Sequence, residues 1–412
     1  MRRPVLRTLW TRTGLAAVMC CVVAALANAQ PPDPPASPWT RAIDAYLTGR
    51  DDVVAATLRG VAPGELRVQA RQAFDAWMAR ARAAAGGPKA VDERRLAIRR
   101  MQAAAALPLE IVSAISTRTR VSSAMDPYQE VAIDAWERLA EFEEMRLEGP
   151  GAPNRAEREA QRAQLQHFRT WWRIGVLQFL ANVGRHRDFD RQAGQVRLPR
   201  DDNVMRAEFH FLEGMVEEHT ARTTRAVRTT SNQGMTSQRY TPAGGRPESP
   251  LRVLALMLES AEKSYRRALE AVPAHEEARL RFGRVALDLR RPGDALTRLT
   301  PLLRTPCAAV TCGLAALFVG EAHDVRGDLA DAATAYARAS SVTEIRQSAL
   351  VALAQLAVRR GDARAGAGLI GHFASGTPLS EQQGPDAWSI YLGGRRQNIG
   401  AVLEPLRGAI LP

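Results

Sequence analysis

The chain has 412 residues, 46% apolar and 24% charged, with a formal charge of +12. That apolar share suits a chain folding around a large core and excludes a disordered protein; the length fits two or three ordinary domains or one extended array. Lysine occurs only at Lys89 and Lys263, so the basic excess reflects general arginine usage more than phosphate recognition.

Arg2, Arg3, Arg7 and Arg12 precede an apolar run from Gly14 to Ala27, which ends in Ala27-Asn28-Ala29. This order of basic start, apolar stretch and small-residue site predicts a secretory signal peptide over residues 1–29, cut before Gln30. The run is shorter than the roughly twenty residues a bilayer crossing needs, and no later segment comes close. A periplasmic or secreted protein without a transmembrane segment after cleavage is expected. A lipid anchor at Cys20 fits less well, because bulky Met19 stands where lipoprotein signals resemble a small residue. Cleavage removes four charges from +12 and leaves +8. It also removes Cys20 and Cys21, leaving Cys307 and Cys312 in a compartment where a disulfide persists.

Residues 30–38, with Pro31, Pro32, Pro34, Pro35 and Pro38, form a spacer, since proline lacks a donor and restricts its neighbour. Residues 39–200 alternate helical patterns with short breaks. Trp39, Ile43, Tyr46 and Leu47 share one helical face, as do Leu165, Phe168, Trp172, Val176 and Phe179. Breaks at Pro63-Gly64, Gly86-Gly87-Pro88, Asp126-Pro127, Gly149-Pro150-Gly151 and Leu198-Pro199 divide the region into helical hairpins. No segment shows the period-two alternation of a strand.

A repeat emerges over residues 201–373. Gly327 and Gly361, in the turns Arg326-Gly327-Asp328 and Arg360-Gly361-Asp362, are 34 residues apart. Gly320 and Ala354 keep the same spacing, as do Tyr336 and Ile370; Ala295 to Ala332 is 37 and Ala261 to Ala295 is 34. Ala261, Tyr265, Ala268 and Pro273 place small residues and an aromatic on a second helix that a proline follows. This pattern resembles the tetratricopeptide repeat family, whose unit is a 34-residue helix-turn-helix. No single hairpin buries its apolar face alone, so neighbours stack and the sequence period becomes a spatial one. About three full units run from Glu276 to Phe373. A further unit is split: Phe211-Leu212-Glu213-Gly214 reads as a first helix whose partner begins at Leu251. Ala42 to Gly49 echoes half a unit, and between Gly60 and Leu198 the motif is unrecognisable. The expected fold is all-α, an α-solenoid of helix-turn-helix units with no β-sheet domain.

Two stretches break the rhythm. Residues 220–250 form a polar insertion with Arg222, Arg225, Arg228, Arg239 and Arg246 against the single acid Glu248, and its second half reads as a loop. Residues 374–412 form a capping segment, in which Trp388, Tyr391, Leu392, Ile399, Val402 and Leu403 are available to cover the exposed end of the array.

For chemistry, the patterns GxxxxGK[ST], GxSxG and HExxH are absent. His210, Glu213 and Glu217 share a helical face at metal-compatible spacing, followed by Glu218-His219, but read as a solvated polar face. His275-Glu276-Glu277 reads as helix-start charge complementing the macrodipole. The segment Cys307 to Cys312 coincides with the enlarged 37-residue period; a disulfide there fixes the path between units, contributing roughly 2 kcal/mol. Metal binding is the rival, with His323 eleven residues on. The Arg-rich stretch offers only Tyr240 for stacking, which argues against nucleic acid.

The resemblance to tetratricopeptide repeats implies a peptide or protein partner on the surface formed by first helices. Its groove positions, at and about one turn beyond the residue after the small one, hold Arg284, Asp288, Glu321, Asp324, Gln355 and Arg359. Their mixed charge argues against a site for a terminal carboxylate. The reading is a non-enzymatic envelope scaffold without metal or cofactor. The alternative is a glycan-binding or glycan-processing helical protein, for which the scattered tryptophans are candidates.

Overall fold

The computed structural model describes residues 37–58, 61–83, 88–116, 155–182, 184–230, 250–304, 309–374 and 387–392, with a few positions within 131–138 and at 404–405. Among these residues the secondary structure is helical throughout, with no strand. The helices are α1 (Pro38–Tyr46), α2 (Asp51–Leu58), α3 (Pro63–Ala83), α4 (Pro88–Ser116), α5 (Arg155–Asn182), α6 (His186–Ala193), α7 (Asn203–Thr230) and α8 (Pro250–Ala271). They continue as α9 (Glu276–Asp288), α10 (Pro292–Arg304), α11 (Ala309–Arg326), α12 (Leu329–Ser340), α13 (Arg346–Arg359), α14 (Ala363–Ala374) and α15 (Ala387–Leu392), with a 3₁₀ turn at Thr343–Ile345.

Contacts divide the chain into two units. One comprises residues 1–108 and 126–159, the other residues 109–125 and 160–410. In the first, Ser37 caps α1 by accepting from the Thr40 amide at 3.2 Å. The periodic face of α1 then buries Trp39, Ile43 and Tyr46 together with Phe74, Trp77 and Met101 elsewhere in that unit. Arg100 grips the Asp44 carboxylate with two nitrogens, at 2.9 and 3.1 Å, and lies 5.8 Å from the Trp77 ring centre.

In the second unit each helix from α7 to α14 packs on the next, and α7, α9 and α11 also touch in sequence, so helical hairpins stack. Small residues set the spacing. A Cβ placed on Gly214 would meet the Tyr265 ring at 2.7 Å, one on Gly283 would meet Leu299 at 2.4 Å, and one on Gly320 would meet Tyr336 at 2.4 Å. The first helices α7, α9 and α11 therefore each lie against a large side chain of their own partner helix, at a distance only glycine permits.

The turns after α9, α11 and α13 are equally regular. An amide two or three residues past the helix end returns to a carbonyl in the last turn: Arg291 to Ala286 at 2.8 Å, Asp328 to His323 at 2.9 Å, Asp362 to Ala357 at 2.9 Å. This is the Schellman arrangement, which needs a left-handed residue after the helix. Gly327 and Gly361 supply it at φ 85° and 86°, and Arg290 supplies it at φ 61°. The same cap closes α1, through Gly49 and the Arg50 to Ala45 bond, and α5, through Gly184 and the Arg185 to Leu180 bond.

Helix α7 extends into the polar insertion as far as Thr230; Ala221 is buried and Arg222, one turn after Glu218, faces inward with it. Residues 231–249, with Arg239 and Arg246, lie outside the described residues, as do residues 1–36 with the expected signal.

Two substitutions test this geometry. Arg290→Gly should raise stability by about 0.5–1 kcal/mol, since an L side chain in the left-handed region is unfavourable. Gly320→Val should lower it by about 1–3 kcal/mol by overpacking Tyr336. Thermal or urea unfolding followed by helical circular dichroism measures both.

Candidate functional site

The first helices α7, α9, α11 and α13 present a row of charged side chains, and an arginine–carboxylate bridge spans each junction between them. Arg222 of α7 reaches Asp288 of α9 at 2.8 Å. Arg284 of α9, itself 3.0 Å from Asp288, pairs with Glu321 of α11. Asp324 of α11 pairs with Arg359 of α13. The structure thus brings five of the six sequence-derived positions into contact with one another. The sixth, Gln355, stands exposed one turn before Arg359.

At the start of this row lies a residue outside that set. Glu218 of α7 is 1% exposed and accepts from the Tyr265 hydroxyl at 2.6 Å, the Tyr391 hydroxyl at 2.5 Å and Arg281 Nη1 at 3.2 Å, while Arg222 Nη2 approaches to 2.7 Å. Burial raises its pKa, but Arg222 and Arg281, then the two tyrosine hydroxyls, overcome this and hold it below the ordinary carboxylate value. Burial, followed by the negative charge of Glu218, pushes both tyrosines well above the usual phenol range, so they remain donors.

The aromatic contribution comes from α15. The Tyr391 ring lies 4.3 Å from Arg281 and 4.9 Å from Arg222; Arg284 sits 5.1 Å from both Trp388 and Phe318. Trp388 and Tyr391 are stacked at 5.5 Å with 17° between planes. Trp388 and Tyr391 thus stand against α7, α9 and α11. Cations and a carboxylate on α7 and α9 hold the rings more strongly than a bare apolar helix end would. Ile399, Val402 and Leu403 lie outside the described residues.

Behind Glu218, the rings of His219 and His186 meet edge-on at 5.3 Å, and His186 Nδ1 is 2.9 Å from the Thr220 hydroxyl. Burial, then His186, lower the pKa of His219 to about 4; Glu218 pulls it upward, and Arg281 and Arg222 add smaller downward effects.

The other sequence candidates are engaged locally. His210 Nδ1 lies 2.9 Å from Glu213, and Glu217 accepts from the Ser260 and Ser264 hydroxyls at 2.7 and 3.3 Å. Asp190, Glu213 and Glu217 border a cleft of about 220 Å³ between α6 and α7. His275 caps α9 by accepting from the Ala278 amide at 3.2 Å. His323, Asp328 and Asp331 offer three donor atoms within 4.8 Å of one another, and Arg326 already balances Asp328 at 3.2 Å. Cys307 lies outside the described residues; Cys312 opens α11 with its sulfur 3.7 Å from the Leu302 carbonyl, at the α10–α11 junction. Trp39, Trp77, Trp171 and Trp172 are buried and offer no sugar platform.

Sequence reasoning missed Glu218, Arg222, Arg281, Tyr265 and Tyr391 as partners in one site. One signal was present: Glu218 follows Gly214 by the same four residues that separate Asp324 from Gly320, and Tyr265 and Tyr336 cross those two glycines. Comparison with protein-family models returns no match, and comparison with curated proteins returns none either.

Glu218→Gln should destabilise the chain by about 3 kcal/mol, because it removes the carboxylate shared by Arg222 and Arg281 and leaves buried Arg281 with Glu277 alone, at 3.6 Å. The histidine adds a pH dependence. Its folded pKa lies below the unfolded value of 6.5, so the unfolded chain takes up the proton first. Stability is full above 6.5 and falls as the pH drops toward about 4. Melting curves between pH 7.5 and 4 should show this slope, and His219→Gln should flatten its upper part.

Proposed function

We propose that the protein is an exported, non-enzymatic helical scaffold of tetratricopeptide-repeat type, which binds a protein or peptide partner of the cell envelope along the face of its first helices. The supporting observation is the row of arginine–carboxylate bridges from Arg222 to Arg359, which crosses every junction between α7 and α13. Its more exposed members, Glu321 and Arg359, give a partner one anionic and one cationic contact. Electrostatic complementarity of this kind sets specificity and register more than raw affinity.

Export is argued from residues 1–29. No helix of the described residues is long and apolar enough to cross a membrane. In an oxidising compartment, a Cys307–Cys312 disulfide would fix the path between two stacked hairpins. The buried tryptophans do not favour the glycan reading.

The test uses a photo-crosslinking residue at Gln355, exposed on the first-helix face, and at Arg266, exposed on second helix α8. In the native envelope, Gln355 should give a discrete protein adduct and Arg266 none; equal labelling or no labelling at Gln355 contradicts the reading. N-terminal sequencing of the same material should begin at Gln30, and peptide mapping without reductant should recover Cys307 joined to Cys312. A mature chain starting at a lipid-modified cysteine, or full alkylation of both thiols, argues against those two parts.

A further inference from the structure

We propose that the seat of α15 is a recognition pocket for a helical segment carrying an aromatic residue and a tyrosine three positions later, that the chain fills it with its own Trp388 and Tyr391, and that a partner bearing the same pair displaces them. The inference deepens the scaffold reading and rests on it.

The seat has the chemistry of a receptor. Tyr391 is held by its hydroxyl on Glu218, at 2.5 Å, and by guanidinium groups beside its ring, Arg281 at 4.3 Å and Arg222 at 4.9 Å. Trp388 stacks on Tyr391 and packs with Phe318 at 5.3 Å. A carboxylate that reads a phenolic hydroxyl, next to cations that read an aromatic face, selects tyrosine over phenylalanine.

Without its occupant the seat keeps most of its polar contacts. Glu218 loses the Tyr391 hydroxyl but keeps Tyr265, Arg281 and Arg222; Arg222 keeps Asp288; Arg284 keeps Asp288 and Glu321. The apolar part of the seat, where buried Phe318 meets Trp388 and Tyr391, resists emptying into water and so favours exchange for another aromatic pair. The occupant, by contrast, is a helix of six residues, too short to hold its shape alone. Its contact is one-sided, with Ser389 and Leu392 exposed.

Charge defines the ligand class further. Arg222, Arg281 and Arg284 are balanced by Glu218, Asp288 and Glu321, with Glu277 3.6 Å from Arg281. A neutral phenol fits this balance. A phosphotyrosine or a terminal carboxylate placed at the same point would face Glu218 directly.

The experiment uses the full mature chain and a fluorescein-labelled peptide of residues 385–395. Fluorescence anisotropy should show binding to a Trp388→Ala/Tyr391→Ala variant at least tenfold tighter than to the unsubstituted protein, where the internal segment competes. The same peptide with phenylalanine at position 391 should bind at least tenfold more weakly, and a phosphotyrosine version should not bind. Equal affinity of the variant for tyrosine, phenylalanine and phosphotyrosine peptides overturns the proposal. If the variant fails to fold, hydrogen exchange on the unsubstituted chain decides. Amides of 388–392 should exchange at least tenfold faster than the core amides of α9 and α11, whereas exchange only through global unfolding makes α15 a fixed part of the core. A discrete crosslink at Gln355 with no opening of α15 leaves the scaffold standing and removes this proposal. Peptide exchange without that crosslink has the opposite meaning.

Discussion

A carboxylate sealed from water costs several kcal/mol unless cations and hydroxyl donors surround it, and Glu218, at 1% exposure, imposes that demand on four segments of the chain. Arg222 answers it from the same helix, Tyr265 from the partner helix, Arg281 from the next hairpin and Tyr391 from a point 173 residues away. No subset of these elements satisfies the group as fully as the assembled set. Packing of α7 on α8 and α9 and docking of α15 are thereby tied to one atom pair.

The hub is reachable only because the hairpins are built to a common gauge. Gly214 lets the Tyr265 ring cross α7 at close range, which delivers its hydroxyl one turn further along to Glu218. Gly320 and Tyr336 repeat the crossing two hairpins later. The Schellman turns at Arg290, Gly327 and Gly361 set the chain reversal between each such pair. Local backbone chemistry thus fixes where first-helix side chains stand, and the arginine–carboxylate bridges between successive first helices follow from that placement.

Much of this was legible in the residues. The 34-residue spacing of Gly327 and Gly361 located the turns, and the offsets from Gly283, Gly320 and Ala354 located the charged row. What hid the turn at Gly184 was size: seven residues before it stands Leu177 and five after it Phe189, where the clearer turns place Gly283, Gly320 or Ala354 and Ala295, Ala332 or Gly366. The helical cap survives, since it depends on the backbone, while the small-residue signature is gone, with Leu177 and Phe189 in its place. The buried site was harder to read. Arg222 looked like part of a solvated basic stretch, and only the inward face of α7 reveals it as a partner of Glu218. Tyr391 carries no local mark of its target, because a contact between distant segments leaves no period in the sequence.

The central claim is that Glu218 and Tyr391 are energetically coupled, so that the first-helix face and the α15 segment share one interaction. A double-mutant cycle with Glu218→Gln and Tyr391→Phe, read by urea unfolding of the full chain, measures that coupling directly. The account predicts a coupling energy of about 1–3 kcal/mol, as expected for groups in one buried network. Effects that add to within about 0.5 kcal/mol, the behaviour of independent sites, would contradict it.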